Sequence, residues 1–378
     1  MNIDILQFLP RNTKIKMNKE DVGRLFLDKN LNEWNKLLGS SIKNLSRYRN
    51  STRPIPLNIF IRLIEISHID LNNLQSKIWL KAGKNGGYLK IGPYIRINED
   101  WVYVSELIKG DGHITPNFWY INFINKDKEL ISFVKNFFIS LGLPPKRIYI
   151  YSRSDVDFLT VRSYPLAYLL HKLFLVPTGK KIEMDIADFV INNPLLSAAA
   201  VRGAFDAEGS VSFTGSRRIC IASISKNWLT KISQILEKLK IKSRIYAYNE
   251  KRKYPIYRLH IYHIINLTKF QEVIKPLNRK RRDKLNIIIH NSNRNYDEVF
   301  RNKILAAINI GYIRKKDISR HLNLSLNIVG NNIYRLRKNK LIEPKSKIFT
   351  NKGCYFKYKL TLLGQKYLED KSSLPFFD

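Results

Sequence analysis

Cysteine is nearly absent: Cys220 and Cys354 are the only two in 378 residues. No disulfide framework is possible beyond one bridge, and no Cys/His cluster has zinc-ligand spacing. Two isolated thiols fit a reducing, intracellular compartment most simply, so a cytoplasmic, nucleoid-associated protein is expected. Also missing are an apolar run of the ~20 residues needed to span a bilayer and an N-terminal signal pattern, so no membrane partner is expected. Acid is scarce too. Asp and Glu total 31 against 66 Lys and Arg, leaving a net charge of +35. An excess that large repels itself unless a polyanion neutralises it, which points to nucleic acid.

What is present is a foldable chain. Apolar residues make up 44%, enough for packed cores, and the length suggests roughly two or three domains of about 150 residues. The 20 Tyr, 19 Phe and 5 Trp are interleaved with the charge, as on a folded binding surface rather than a basic tail.

The middle of the chain repeats itself. The run RIYIY (147–151) recurs 97 positions later as RIYAY (244–248), and Asp111-Gly112 recurs at the same offset as Glu208-Gly209. The periodicities around them agree. Each copy reads α-β-β-α-β-β-α, over residues 99–192 and 194–290, which suggests a pseudo-twofold body.

Asp111 and Glu208 each close a helical stretch, where the helix dipole already places negative partial charge. Acid there costs stability, so another role should favour it. In AAAVRGAFDAEG, the small residues Ala199, Gly203 and Ala207 recur every fourth position, a face that lets two helix backbones approach closely. If its partner is the matching helix of copy one, the two carboxylates meet near the twofold axis. Two such carboxylates beside a phosphodiester can bind a divalent cation, for which Mg²⁺ is the expected ion. Glu106 and Lys109 break the pattern. Glu106 stands where copy two has Gly203, so it is expected to tilt the helices or snorkel outward, and Lys109 stands opposite Asp206.

The segment VRGAFDAEG (201–209) resembles the signature of the LAGLIDADG homing endonucleases, and VSELIKGDG (104–112) resembles its other copy. VPTGKK (176–181) and PLNRKRRDKL (276–285) resemble family segments as well. The resemblance covers about half the chain. It implies a two-repeat α+β fold whose strands form a saddle in the DNA major groove, with Asp111 and Glu208 as metal ligands. By position, Lys181 and Lys280 are the expected catalytic basic residues, with Arg279 close behind. The expected nucleic-acid contacts are Arg147 and Arg153 in copy one, and Arg217, Arg218, Arg244, Arg252, Arg258 and Arg279 in copy two.

The flanks resemble DNA-binding modules. In residues 1–92, a helix ending at LLGS, a turn and the helix IKNLSRYRN resemble a repressor-type helix-turn-helix, directing Lys43, Asn44, Arg47 and Tyr48 at nucleic acid. In residues 297–378, three helix candidates precede LIEPKSKIF and YFKYKLTLLGQKYL, which alternate like a hairpin wing; this resembles a winged helix. Asn327, Asn331, Asn332, Tyr334 and Arg335 sit on or near its recognition helix, with Lys345 and Lys347 toward the wing. The central domain is expected over residues 93–292. The leading expectation is a free-standing, monomeric, Mg²⁺-dependent endonuclease for double-stranded DNA. A catalytically silent DNA-binding regulator and an RNA-directed maturase or RNA-processing enzyme stay open as alternatives.

Overall fold

The computed structural model describes residues 2–10, 13–74, 78–81, 88–179, 181–212, 217–248, 253–293, 296–350 and 353–372. They fall into two compact units, Met1–Asn286 and Ile287–Asp378.

The first unit opens with strands β1 (Asn2–Asp4) and β2 (Lys14–Lys16), helices α1 (Lys19–Leu25), α2 (Leu31–Leu38) and α3 (Ile42–Arg49), then β3 (Ile55–Pro56) and α4 (Leu57–Ser67). Strands β4 (Trp79–Lys81), β5 (Tyr88–Lys90) and β6 (Tyr94–Arg96) follow. Asn18, Asn30 and Ser41 cap α1, α2 and α3 by accepting from backbone N–H groups of the first turn, which satisfies donors a helix start leaves orphaned. Gly39 at φ +61° ends α2 in the left-handed region that glycine tolerates.

Two αββαββ units with a closing helix come next. The first runs α5 (Glu99–Asp111), β7 (Gly112–Ile114), β8 (Tyr120–Asn125), α6 (Lys128–Ser140), β9 (Ile148–Arg153), β10 (Val156–Arg162) and α7 (Tyr164–Phe174), with a short α8 (Asp188–Ile191). The second runs α9 (Pro194–Glu208), β11 (Gly209–Ser212), β12 (Arg218–Ser223), α10 (Lys226–Lys238), β13 (Ser243–Tyr248), β14 (Ile256–Tyr262) and α11 (Ile264–Ile274), followed by α12 (Arg279–Asn293). Their antiparallel sheets have the matching orders β7-β8-β10-β9 and β11-β12-β14-β13. Alternate residues of each strand, such as Ile121, Phe123, Leu159 and Val161, and Ile219, Ile221, Leu259 and Ile261, are fully buried against the repeat's own helices. The period of two leaves the other face of each sheet uncovered by those helices.

Helices α5 and α9 pack on each other and are buried nearly all round, which is why neither shows a one-sided apolar stripe. Equivalent positions meet: an added Cβ on Gly110 would overlap Ala207, and one on Gly203 would lie 2.7 Å from Glu106 Cβ. This is the backbone approach that the small residues of copy two predict.

The second unit contains α13 (Tyr296–Asn309), α14 (Lys315–His321), α15 (Leu326–Lys338), the hairpin β15 (Ile342–Thr350) and β16 (Gly353–Leu360), and α16 (Leu362–Ser372). Ile304, Leu305, Ile318, Val329 and Leu336 form its core. One expectation fails here. The alternating reading of YFKYKLTLLGQKYL extends the strand too far, because β16 stops at Leu360 and residues 362–372 are helical. Thr361 caps that helix by accepting from Gly364 N at 3.1 Å.

Candidate metal and nucleic-acid site

The two motif helices deliver Asp111 and Glu208 as their last residues. Glycine follows each acid because there is no room for a side chain. A Cβ on Gly112 would lie 3.0 Å from Ile108 O, and one on Gly209 would meet the Phe205 ring and carbonyl. The glycines are extended, with φ of −133° and −81°, so close approach rather than left-handed backbone requires them. Glu208 leans across the helix pair: its Cγ would be 3.1 Å from a Cβ on Gly110.

Burial pushes the Asp111 carboxyl up to about 7, and the charge of Glu208 pushes in the same direction. Arg281, Lys181 and a hydrogen bond from Asn125 Nδ2 (2.7 Å) oppose the rise. Burial also raises Glu208, against Lys181 and Arg281. Among the described residues, neither acid forms an ion pair or, beyond the Asn125 bond, accepts a side-chain hydrogen bond. The nearby cations are committed to the backbone instead. Lys181 Nζ donates to Gly110 O, while Arg281 donates to Asp206 O and, at 2.9 Å, to Ala207 O. Gly110 and Ala207 are equivalent positions, so Lys181 and Arg281 are the matching basic residues of the two repeats. Burial lowers both cations, and both acids oppose that shift.

Lys280, the sequence-based choice for this role, is exposed and lies one residue away. The signal for Arg281 is present in the sequence. Helices α7 and α11 are 100 positions apart rather than 97, because the loop before β14 is longer than its counterpart, and 100 positions after Lys181 is Arg281. Arg279 is also exposed, 4.0 Å from Asp283 on its own helix.

The donor chemistry fits a hard divalent cation. Two carboxylates with uncommitted oxygens stand at the negative ends of two helices. Among the described residues no group of three or more His, Cys, Asp and Glu is placed to hold a metal, so this pair is the candidate.

Glu106 neither tilts away nor snorkels. It is 2% exposed, accepts from Lys109 Nζ at 2.5 Å and takes a 2.7 Å hydrogen bond from Trp228 Nε1. Lys109, 1% exposed, also donates to Asp185 O at 2.7 Å. Burial raises the Glu106 carboxyl, with Lys109 and Trp228 opposing. Opposite Lys109, Asp206 accepts from Leu277 N at 2.8 Å and Tyr103 Oη at 3.0 Å. Lysine in one copy and aspartate in the other thus tie down the segments that carry Lys181 and Arg281.

The expected nucleic-acid contacts divide. Lys43, Arg47, Arg153, Arg244, Asn331, Arg335, Lys345 and Lys347 are exposed, and Arg217, Arg218 and Arg258 are half-buried. Asn44 accepts from Arg53 Nη1 at 2.6 Å. Two expectations fail on burial. Tyr48 is 4% exposed because it lies three residues after Leu45 on the inner face of α3. Arg147 is 7% exposed because the 3-10 turn over Pro145–Arg147 directs it inward before β9 begins. Asn332 is buried as well, donating to Ile328 O at 3.0 Å. Arg252 lies outside the described residues. Sequence reasoning missed Asn125, which precedes α6 and holds Asp111, and His113, whose Nε2 lies 3.0 Å from Asn122 Nδ2. No described helix is long and apolar enough to cross a membrane.

Residues 196–275, most of the second repeat, match the LAGLIDADG-like domain family. No curated protein matches the chain. Among solved structures, the homing endonuclease I-DmoI in complex with DNA and manganese is 19% identical over 47% of this chain and 96% of that one, with a TM-score of 0.36. Its complex with DNA and calcium is 17% identical over 51% and 97%, with a TM-score of 0.38. Full-length DUF199/WhiA from Thermatoga maritima is 15% identical over 65% and 93%, with a TM-score of 0.35.

Proposed function

We propose that this chain, with its LAGLIDADG-like domain, is a metal-dependent, site-specific endonuclease for double-stranded DNA that acts as a monomer. One observation carries the reading. Both motif helices end in a carboxylate that pairs directly with no cation among the described residues, although Lys181 and Arg281 stand beside them bound to equivalent backbone carbonyls. A structural pair of acids would take those cations as partners; these are left to take something else.

Asp111 and Glu208 would hold Mg²⁺, which supplies activation of water and stabilisation of the leaving oxygen. Lys181 and Arg281 reduce the repulsion between the two acids and fix the C-terminal turns that present them. Asn125 orients Asp111. The uncovered sheet faces are the surface for the major groove, which admits β-ribbons. The helices at 31–49 and the helix–hairpin unit at 296–360 lengthen the contact as helix-turn-helix and winged-helix modules. Lys43, Arg47, Asn331, Arg335, Lys345 and Lys347 contact phosphates and groove edges there.

The test is selection of cleaved sites from a random duplex library in Mg²⁺. Recovery of one site, cut on both strands, supports the endonuclease. Tight binding without cutting assigns the chain to the regulators, and exclusive binding of RNA assigns it to RNA processing.

A further inference from the structure

The uncovered faces of the two sheets differ in chemistry, and the strand registers place each difference. On the first sheet a transverse row runs His113, Asn122, Thr160, Tyr149. Thr160 Oγ1 donates to Asn122 Oδ1 at 2.9 Å, and Asn122 Nδ2 meets His113 Nε2 at 3.0 Å. The amide is thereby held in plane with one donor and one acceptor lone pair still to use. The corresponding row on the second sheet runs Ser210, Cys220, His260, Arg244 and contains no amide.

The cations differ as well. Both sheets carry a cross-strand Arg–Tyr pair at the equivalent place, Tyr120 with Arg162 and Arg218 with Tyr262, so that pair distinguishes nothing, whereas the second sheet adds Tyr246 opposite Arg258. Arg258 stands on β14 where β10 has Phe158, and the exposed Arg244 stands on β13 where β9 has Tyr149. Arg258 lies 4.4 Å over the Tyr248 ring, a stack that orients the planar guanidinium and leaves its edge donors available. Phe158 instead stacks on Tyr151, with centroids 4.8 Å apart and planes at 6°. Burial, then the charges of Arg218 and Arg258, push the His260 imidazole down from its ordinary value.

In the major groove, guanine presents two acceptors that suit a bidentate arginine, and adenine presents a donor and an acceptor that suit an asparagine amide. We propose that the two half-sites differ in composition: guanines are read by Arg258 and Arg244 under the second repeat, and an A·T-centred half-site is read by Asn122, oriented by Thr160, under the first. The inference rests on the DNA-binding reading above but not on cleavage.

The experiment is selection of bound duplexes from a randomised library in EDTA, so that no cutting occurs, with the full chain and the variants Arg258→Lys, Arg258→Ala and Asn122→Ala. The expected site has guanines concentrated in one half and A·T pairs at the centre of the other. Arg258→Ala should weaken binding of that site roughly five- to hundredfold and relax one guanine position, as expected for loss of a bidentate contact. Arg258→Lys keeps the charge and the salt dependence but should relax the same guanine. Asn122→Ala should relax a position in the opposite half. Guanine spread evenly over both halves, or an Arg258→Lys site identical to the parent's, overturns the inference, and failure to select any duplex overturns it together with the DNA reading. The expected asymmetry without cutting in Mg²⁺ would leave it standing while removing the endonuclease.

Discussion

Replacing Glu106 by glycine makes copy one match copy two in sequence, and small-residue logic alone expects tighter helix packing. The structure argues the reverse. Glu106 Cβ already lies close to Gly203, so Glu106→Gly opens a space rather than restoring a contact. It also leaves the Lys109 ammonium, 1% exposed, without its counter-charge. Breaking a buried ion pair by deleting one partner costs about 3–5 kcal/mol, and Trp228 Nε1 loses its acceptor for roughly 1–3 kcal/mol more. The terms overlap, so a net loss of about 4 kcal/mol is the working figure, a large share of the 5–15 kcal/mol typical of a folded domain. Urea unfolding followed by Trp fluorescence reads it. The double variant Glu106→Leu/Lys109→Met removes both charges and should recover most of the loss. A Glu106→Gly protein within about 1 kcal/mol of the parent, or a double variant no better than the single one, would refute the reasoning.

Asp111→Asn should stabilise the metal-free protein in a pH-dependent way. The folded carboxyl titrates near 7 and the unfolded one near 4, so the native state holds the extra proton. The parent therefore loses stability as pH rises from about 4 to 7, and the variant's advantage opens over that window to about 1–3 kcal/mol; a pH-independent gap in chelated buffer contradicts it. Arg281→Ala should impair folding or cleavage far more than Lys280→Ala, because Arg281 and not the exposed Lys280 is hydrogen-bonded to the end of α9; equal effects in melting and cleavage assays would restore Lys280. Gly110→Ala should cost about 1–3 kcal/mol by overpacking against Ala207, measured by thermal melting, and an unchanged midpoint would mean the helices can part freely.

The repeat, its strand and helix order and the placement of both acids were legible because two short motifs share one offset and the periodicities agree around them. Lys280 was chosen over Arg281 because the offset is not constant: it is 97 at the acids and 100 at the closing helices, and a single offset hides the change. Tyr48 was readable, since Leu45 and Tyr48 share a helical face, but its basic neighbours suggested a contact surface. Arg147 was not, because strand alternation says nothing about the turn that precedes a strand. The burial of Glu106 depends on Trp228, 122 positions away, and on a backbone carbonyl at Asp185. No local pattern reveals partners at that separation.

The central claim is that two unneutralised acids form one cation-dependent cleavage centre. Its most direct measurement is metal-dependent cutting of a selected substrate by the parent, Asp111→Asn and Glu208→Gln, with binding measured in parallel. Each replacement keeps size and one oxygen but removes the charge a hard divalent cation requires. The expected result is cutting by the parent in Mg²⁺, none in EDTA, and loss of double-strand cleavage in both variants with binding retained or tightened. Undiminished cutting by either variant would contradict the account.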